Sequence, residues 1–191
     1  TTLFRSVIYF DPAYTARPMG LNMLEYDESK PEEKTFVVNE MMDIFNQLFD
    51  MNAGGGGMFE QYCKNGAFLV MEDPESGCTL LEITRVFTDK AFRDMKLSRC
   101  KNPLIKQLWV SAEKSTGEQG LQNFVGYITS NFDPFISNDI MRPVVLQQHS
   151  AFNFRDIMDN KKILLVNLSK GKLGNINSSL IGLILIGKIT M

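Results

Sequence analysis

The chain has 191 residues, of which 44% are hydrophobic and 22% charged, and this composition is that of a globular protein with one sizeable core. The formal net charge is only -2, so the surface as a whole cannot act as a binding field for nucleic acid, and any contact with a polyanion must be local. Three cysteines without C-x-x-C spacing and a single histidine argue against a zinc site, and we predict no metal site.

The amino-terminal part of the chain predicts one strand and two helices. Val7 to Phe10 is a β-branched and aromatic run that Asp11 and the following proline close, which indicates a buried strand. From Pro31 to Phe49, apolar residues recur at steps of three and four, as on one face of a helix. The run Gly54 to Gly57 is predicted as a flexible joint before a second helix, Phe59 to Met71.

The middle of the chain is predicted to be all helical. Five further helices are expected between Gly, Pro and Ser-rich breaks: Thr79 to Val86, Asp89 to Leu97, Pro103 to Glu113, Glu118 to Ile128 and Phe132 to Asn138. Lys162 to Leu168 then predicts a strand, since its apolar run is typical of strands covered on both faces. A loop, Ser169 to Asn177, and an apolar helix, Ser178 to Thr190, complete the chain.

These elements predict an α/β fold with an inserted all-helical subdomain. The expected division is 1–30 for the first strand and loop of the core, 31–160 for the helical insertion and 161–191 for a strand–loop–helix unit. We expect the strands at Tyr9 and Leu165 to lie side by side in one parallel layer. The missing initiator methionine and the apolar carboxyl end indicate a piece of a longer protein. Because Leu180 to Ile189 is shorter than the ~20 residues that cross a bilayer, no membrane span is predicted.

Gly182 to Lys188 matches the G-x-x-x-x-G-K part of a phosphate-binding loop, and we reject it as a nucleotide site. Such a loop needs small, flexible residues between a strand and a helix, and a Ser or Thr after the lysine to hold magnesium. Here the intervening residues are Leu and Ile, and Ile189 follows the lysine. The two glycines are better explained as close-packing positions on a buried helix.

Two polar groups follow the two predicted strands and are candidates for a ligand site. Asp11 follows the first strand, and Ser169, Lys170 and Gly171 follow the second. In open parallel sheets, ligands bind at this carboxyl edge, although such residues also simply end strands as turns. Arg142 and Arg155 flank the second strand and could reach a phosphate across a subunit boundary; surface ion pairs are the alternative.

A row of basic residues is the candidate nucleic-acid contact. The residues in this row are Lys90, Arg93, Lys96, Arg99, Lys101 and Lys106. The first four step by three, so they would lie along one side of a helix and could bind a phosphate backbone. An ordinary solvated helix face, softened by Asp89 and Asp94, is the alternative interpretation.

Two stretches resemble a family, the ATPases of conjugative DNA transfer and type IV secretion, which include the coupling proteins. Val7 to Ala13 (VIYFDPA) and Arg17 to Glu25 (RPMGLNMLE) resemble the family segment downstream of the phosphate-binding loop. Ser150 to Asp159 (SAFNFRDIMD) and Lys162 to Gly174 (KILLVNLSKGKLG) resemble the segment before its acidic, magnesium-binding strand. Met23 stands where the family usually has proline.

The resemblance implies a RecA-like P-loop ATPase core, a homo-hexamer that binds ATP and Mg²⁺ between subunits, and a helical insertion facing DNA. The residues that match the family segments are Asp11, Pro12, Arg17, Pro18, Asn22, Arg155, Lys170 and Gly171. The resemblance places the phosphate-binding loop and the acidic strand outside this chain, so no cofactor and no ATP hydrolysis are expected for the chain alone. It also implies a cytoplasmic protein, free or at the inner face of the membrane.

One alternative is a protein of the same secretion systems that does not bind DNA directly. The helical part would then be a protein-interaction module that recognises a relaxase or another secretion protein without contacting DNA. A second alternative, an unrelated small α/β enzyme, lacks support because no nucleophile, base or metal constellation is recognisable in the sequence.

Overall fold

The computed structural model describes residues 7–49 and 56–190, except for the side chains of residues 56, 58, 115–124 and 127. In chain order the elements are β1 (Val7–Phe10), α1 (Glu33–Leu48), α2 (Gly56–Met71), α3 (Leu80–Thr88), α4 (Lys90–Arg99), α5 (Pro103–Ile136), α6 (Arg142–Val145), α7 (Phe154–Asp159), β2 (Ile163–Val166) and α8 (Lys170–Thr190). A single 3-10 turn, Pro74–Ser76, lies between α2 and α3. Within the predicted glycine joint, Gly54 and Gly55 lie outside the described residues.

The predicted fold class is wrong. Most of the described residues are helical and their sheet consists of β1 and β2 alone, which is not a RecA-like parallel-sheet core with a helical insertion. The apolar run of β2 suggested a strand covered on both faces, yet Ile163 and Leu165 are 49% and 51% exposed. An apolar run reports the strand preference of a segment, whereas the number of strands beside it is set elsewhere in the chain. The division at residues 30 and 160 stays a prediction.

The predicted pairing of the two strands is confirmed. β1 and β2 run parallel, and Tyr9 lies opposite Leu165. The N–H of Asn167 donates to the carbonyl of Phe10 at 2.9 Å and so extends the ladder beyond β2. Phe10 is fully buried and meets the ring of Phe152 edge-on at 5.4 Å. The pair is therefore anchored to the core at its carboxyl end.

One continuous apolar core joins the strand pair to the helices. In α1, the ring of Phe45 packs at 4.7 Å from Phe132 and at 6.1 Å from Phe135, both in α5. On the other side of α1 lies α8, where a Cβ at Gly187 would come within 2.8 Å of the Glu40 side chain. Gly187 thus allows a close approach of the two helices, as the close-packing interpretation of this glycine predicted.

The three helices predicted between residues 103 and 138 form one helix, α5. It begins at Pro103 behind Asn102, whose side chain accepts the N–H of Leu104. Gly117, which indicated a break between two predicted helices, lies inside it, as does Pro134. An interior glycine costs a helix only about 1 kcal/mol, which the packing of α5 against α2 and α3 offsets.

The predicted loop after β2 is also helical. α8 begins at Lys170 and is interrupted only at Gly174, where φ is 78° and ψ is 173°. This positive φ suits glycine because a residue with a Cβ seldom adopts that backbone conformation, although the space around Gly174 is open. Gly182 to Lys188 lies within α8, so the segment rejected as a phosphate loop has a helical backbone.

Candidate functional site

The carboxyl ends of β1 and β2 carry a group of polar residues, Asp11, Asn167 and Ser169, which we call the strand-end cluster. Asp11 Oδ1 accepts hydrogen bonds from the Ser169 hydroxyl at 2.8 Å and from the N–H of Ala13 at 2.9 Å. Asp11 Oδ2 accepts a hydrogen bond from the Asn167 amide at 3.1 Å. One carboxylate therefore ties the end of β1 to the segment that follows β2.

The backbone of the strand-end cluster is held in an uncommon conformation. Ser169 has φ of 45°, in the left-handed region that non-glycine residues seldom occupy. Its N–H donates to Asn167 Oδ1 at 3.1 Å, and its hydroxyl donates to Asp11. These two bonds stabilise the sharp turn that directs the chain from β2 into α8.

Lys170 and Gly171 follow the strand-end cluster directly and form the first turn of α8. Both residues are exposed. No atom lies within 4 Å of a Cβ built at Gly171, so the space in front of this turn is open. The structure thus brings three of the six nucleotide-edge candidates, Asp11, Lys170 and Gly171, to one edge of the strand pair.

The three arginine candidates do not join this group as one unit. Arg142 begins α6 and donates to Asp139 at 2.6 Å, which is a local ion pair on the surface. Arg17 is exposed in the loop after β1, and Arg155 is exposed on α7. That Arg142 or Arg155 reaches a phosphate across a subunit boundary stays a prediction.

Asn22 forms a second junction between the two stretches that carry the family resemblance. This side chain is 1% exposed. Its amide nitrogen donates to the carbonyls of Cys78 at 2.9 Å and Gln148 at 2.8 Å, and its Oδ1 accepts the N–H of Leu24. The backbone N–H of Asn22 donates to the Ser150 hydroxyl at 3.0 Å. One asparagine thus fixes three segments that are distant in sequence.

Two of the DNA-binding candidates are buried. Lys96 is 0% and Arg93 1% exposed. The Lys96 ammonium donates to the carbonyls of Val70, Asp73 and Gly77 at 3.1, 2.7 and 2.6 Å, so it caps the carboxyl end of α2. Burial lowers the pKa of Lys96.

The other four candidates differ in their surroundings. Lys90 pairs with Asp94 and with Glu113. Arg99 pairs with Asp73. Lys101 is exposed and Lys106 is half-buried. The structure therefore does not assemble the six basic residues into one exposed face.

Sequence reasoning missed Glu72, whose carboxylate joins α1, α2 and the start of α5. Its side chain is 8% exposed. One carboxylate oxygen accepts the Lys34 ammonium at 2.7 Å, and the other accepts the N–H groups of Lys101 and Asn102 at 3.0 and 3.1 Å. The one available signal was an acid directly after the apolar run that ends at Met71.

The Glu72 carboxylate should make stability fall in acid. Burial by itself would raise the pKa of Glu72. The Lys34 ammonium and the two N–H donors lower this pKa by more than burial raises it, so the folded-state pKa lies below the ordinary value. Its contribution is present above the unfolded-state pKa and is lost as the pH falls through the folded-state pKa. We expect Glu72→Gln to lower the free energy of unfolding by about 2 kcal/mol near neutral pH, measured by urea titration.

The matched control is Glu75→Gln, since Glu75 is exposed in the neighbouring 3-10 turn. The difference between wild type and Glu72→Gln should shrink below about pH 4, where glutamates protonate. A difference that stays constant across this range would show that the charge of Glu72 is not what stabilises the fold.

α8 is long and apolar enough to cross a membrane by length and composition alone. Its most apolar window has a mean hydropathy of 1.3, and 44% of that window is buried in the fold. Core helices of soluble proteins pass the same test.

Near the end of α8, Lys188 donates to the carbonyl of Glu25, and burial lowers the pKa of Lys188 to about 8.

Comparison with protein-family models, with curated proteins and with solved structures finds no match to this chain.

Proposed function

We propose that this chain is part of an ATP-driven motor that moves DNA in conjugation or type IV secretion. The proposal is supported by two stretches whose sequences resemble consecutive core segments of that family. The observation that carries it is the bond between Asp11, in the first stretch, and Ser169, in the second, which are 158 residues apart in sequence. Residues of one nucleotide edge must meet in space, and these residues do.

The strand-end cluster is the part that would face the nucleotide in such a motor. Asp11 and Ser169 supply a carboxylate and a hydroxyl at the carboxyl edge of parallel strands, where ligands of open sheets bind. Lys170 adds an exposed positive charge beside them. ATP and Mg²⁺ would be held chiefly by a phosphate-binding lysine and acidic ligands outside these 191 residues, in a homo-hexamer, so the chain alone is not expected to hydrolyse ATP.

DNA contact by the helical part would rest on few residues. Lys101 and Lys106 lie at the corner between α4 and α5. Arg93 and Lys96 are buried, while Lys90 and Arg99 are engaged in ion pairs. The remaining positive charge at this corner is small, so we expect DNA binding there to be weak and transient rather than tight.

A second candidate function, protein recognition by the helices, has an observation in its favour. The exposed side of α5 carries Leu104, 68% exposed, and Leu108, 44% exposed, one helical turn apart. Leu108 borders a shallow hollow that Tyr62 and Trp109 also line. Apolar side chains of this kind suit a relaxase or another secretion protein better than a phosphate backbone.

Salt dependence of DNA binding separates the two functions. Fluorescence anisotropy of labelled single-stranded and double-stranded DNA should show an affinity that falls steeply as salt rises, because phosphate contacts release counterions. The double variant Lys101→Glu/Lys106→Glu should weaken binding and lower the slope of log K against log salt by about 2.

The matched control is Lys30→Glu, a charge reversal at an exposed lysine before α1. This control should retain most of the affinity. Absence of salt-dependent DNA binding by the wild-type chain would contradict DNA contact by this region and leave protein recognition as the function of the helices.

A further inference from the structure

Lys188 is a half-buried lysine in the last turn of α8. Its side-chain nitrogen donates to the backbone carbonyl of Glu25, and among the residues that the structure describes this nitrogen has no second hydrogen bond and no ion pair. The buried ammonium of Lys96 differs, since it donates to three carbonyls. An ammonium has three N–H donors, and the described surroundings of Lys188 provide one acceptor, which disfavours the charged form.

The carboxylate of Glu25 is occupied by other partners. Its Oε1 lies 3.5 Å from His149 Nδ1, and its Oε2 accepts the N–H of Ser150 at 3.0 Å. Lys188 therefore meets the main chain of Glu25 rather than its carboxylate. A neutral amine, which keeps two N–H groups and gains a lone pair, fits this position better than an ammonium does.

Lys188 also lines a hollow between α1 and α8. Most of the wall is apolar and includes Val37, Met41 and Ile184. The hollow holds about 230 Å³ of space, part of which is open to solvent. A small molecule can therefore reach this part of the surface, and an apolar group of a few atoms would pack against the wall.

Few ionisable groups surround Lys188. Glu25, Cys78 and Glu33 act on its charge and favour the ammonium, and Glu40 borders the hollow. Burial outweighs their effect and lowers the pKa of Lys188 to about 8. An ordinary lysine has a pKa near 10.4, so at about pH 7.5 the unprotonated fraction of Lys188 is roughly two hundredfold larger than that of an ordinary lysine.

We propose that Lys188 is a site of covalent acylation, at which its amine accepts the acyl group of a small activated donor, an acyl phosphate or an acyl thioester. The nitrogen attacks the acyl carbon and a C–N bond forms. The bond from that carbon to the phosphate oxygen or the thioester sulfur breaks, and the leaving group takes its electron pair. The nitrogen releases one proton to solvent.

The product of this reaction is a neutral amide. It retains one N–H for the carbonyl of Glu25, and the hollow accommodates the acyl group. The site thereby loses a charge that it solvates poorly. This proposal does not depend on a role in DNA transfer, and the two can fail separately.

Limited acetylation of the folded chain, followed by peptide mass spectrometry, tests the proposal. Acetyl phosphate and acetyl-coenzyme A are used in separate reactions, and the reaction in which Lys188 is preferred identifies the donor class. At about pH 7.5, Lys188 should react about tenfold faster than Lys172, an exposed lysine on the same helix. This ratio is smaller than the ratio of unprotonated fractions because less basic amines are weaker nucleophiles.

The dependence of the rate on pH is a second readout. The rate at Lys188 should level off above about pH 8, whereas the rate at Lys172 should continue to rise towards about pH 10. The preference for Lys188 should therefore shrink as the pH rises.

The same reaction on the chain unfolded in guanidinium chloride is the control, because the hollow and the low pKa of Lys188 exist only in the fold. There, Lys188 and Lys172 should react at rates within about twofold of each other. Two results would overturn the proposal: a folded chain in which Lys188 reacts no faster than Lys172 with either donor, and a preference for Lys188 that persists after unfolding.

Discussion

Replacing Lys96 by methionine should lower the free energy of unfolding by about 3 kcal/mol. The Lys96 ammonium is fully buried and serves three backbone carbonyls, one at the end of α2 and two in the turn that follows. Methionine has a similar length and fills the same space. The three carbonyl oxygens would, however, remain buried without donors, and each such group costs about 1 kcal/mol or more.

The control for this prediction is Lys90→Met, on the same helix. Lys90 is exposed, and its pairs with Asp94 and Glu113 lie on the surface, where ion pairs contribute at most about 1 kcal/mol. Urea denaturation followed by circular dichroism measures both variants. Equal stability of Lys96→Met and Lys90→Met would contradict the assignment of Lys96 as a cap for α2.

Asn22→Asp should also lower the free energy of unfolding by about 3 kcal/mol, although it replaces only the side-chain NH₂ group by an oxygen. The amide nitrogen of Asn22 donates to the carbonyls of Cys78 and Gln148. An aspartate oxygen at that position would face two carbonyl oxygens in a buried site, so two hydrogen bonds are replaced by repulsion. The loop after β1 should then detach from the segment before α7.

Asn39→Asp is the matched control for Asn22→Asp, because Asn39 is exposed on α1. It should change the free energy of unfolding by less than about 0.5 kcal/mol. If Asn22→Asp were as stable as this control in urea denaturation, the junction at Asn22 would not hold the two resembling stretches together.

The pairing of β1 with β2 could be predicted from sequence because each strand has its own local signal. Val7 to Phe10 is closed by Asp11 and a proline, and Ile163 to Val166 is an unbroken apolar run. The extent of the sheet could not be predicted in the same way. Strand preference is local, while the number of neighbouring strands depends on segments distant in sequence.

The interpretation of the basic helix shows a similar limit. Residues spaced by three were expected on one side of a helix, and α4 does span Lys90–Arg99. Spacing alone cannot show which side faces the core. Lys96 is buried because the end of α2 presents carbonyl groups that need donors, and only the tertiary fold brings them to α4.

α5 shows how packing can override local preference. Gly117 and Pro134 each disfavour a helix interior, and Gly117 indicated a break between two predicted helices. In the structure, one helix runs through both positions and packs against α2 and α3. Tertiary contacts of a long helix can exceed the cost of two unfavourable residues, and a single sequence does not reveal those contacts.

The mainly helical fold changes what the family resemblance can mean for this chain. The two resembling stretches meet at the strand-end cluster through Asp11 and Ser169. Around them, the described residues build a helical body with a shared core rather than a layered α/β sheet. The proposed motor function therefore depends on this junction and on DNA contacts near Lys101, and not on a fold class.

Disulfide trapping tests the junction most directly. Tyr9 and Leu165 are exposed and opposite each other in the parallel pair, so Tyr9→Cys/Leu165→Cys should form a disulfide under mild oxidation. The offset pair Tyr9→Cys/Ile163→Cys should not, since residues two positions apart in register lie beyond the ~7 Å limit between Cα atoms. Efficient cross-linking of the offset pair, or failure of both pairs in folded protein, would contradict the parallel junction on which the account rests.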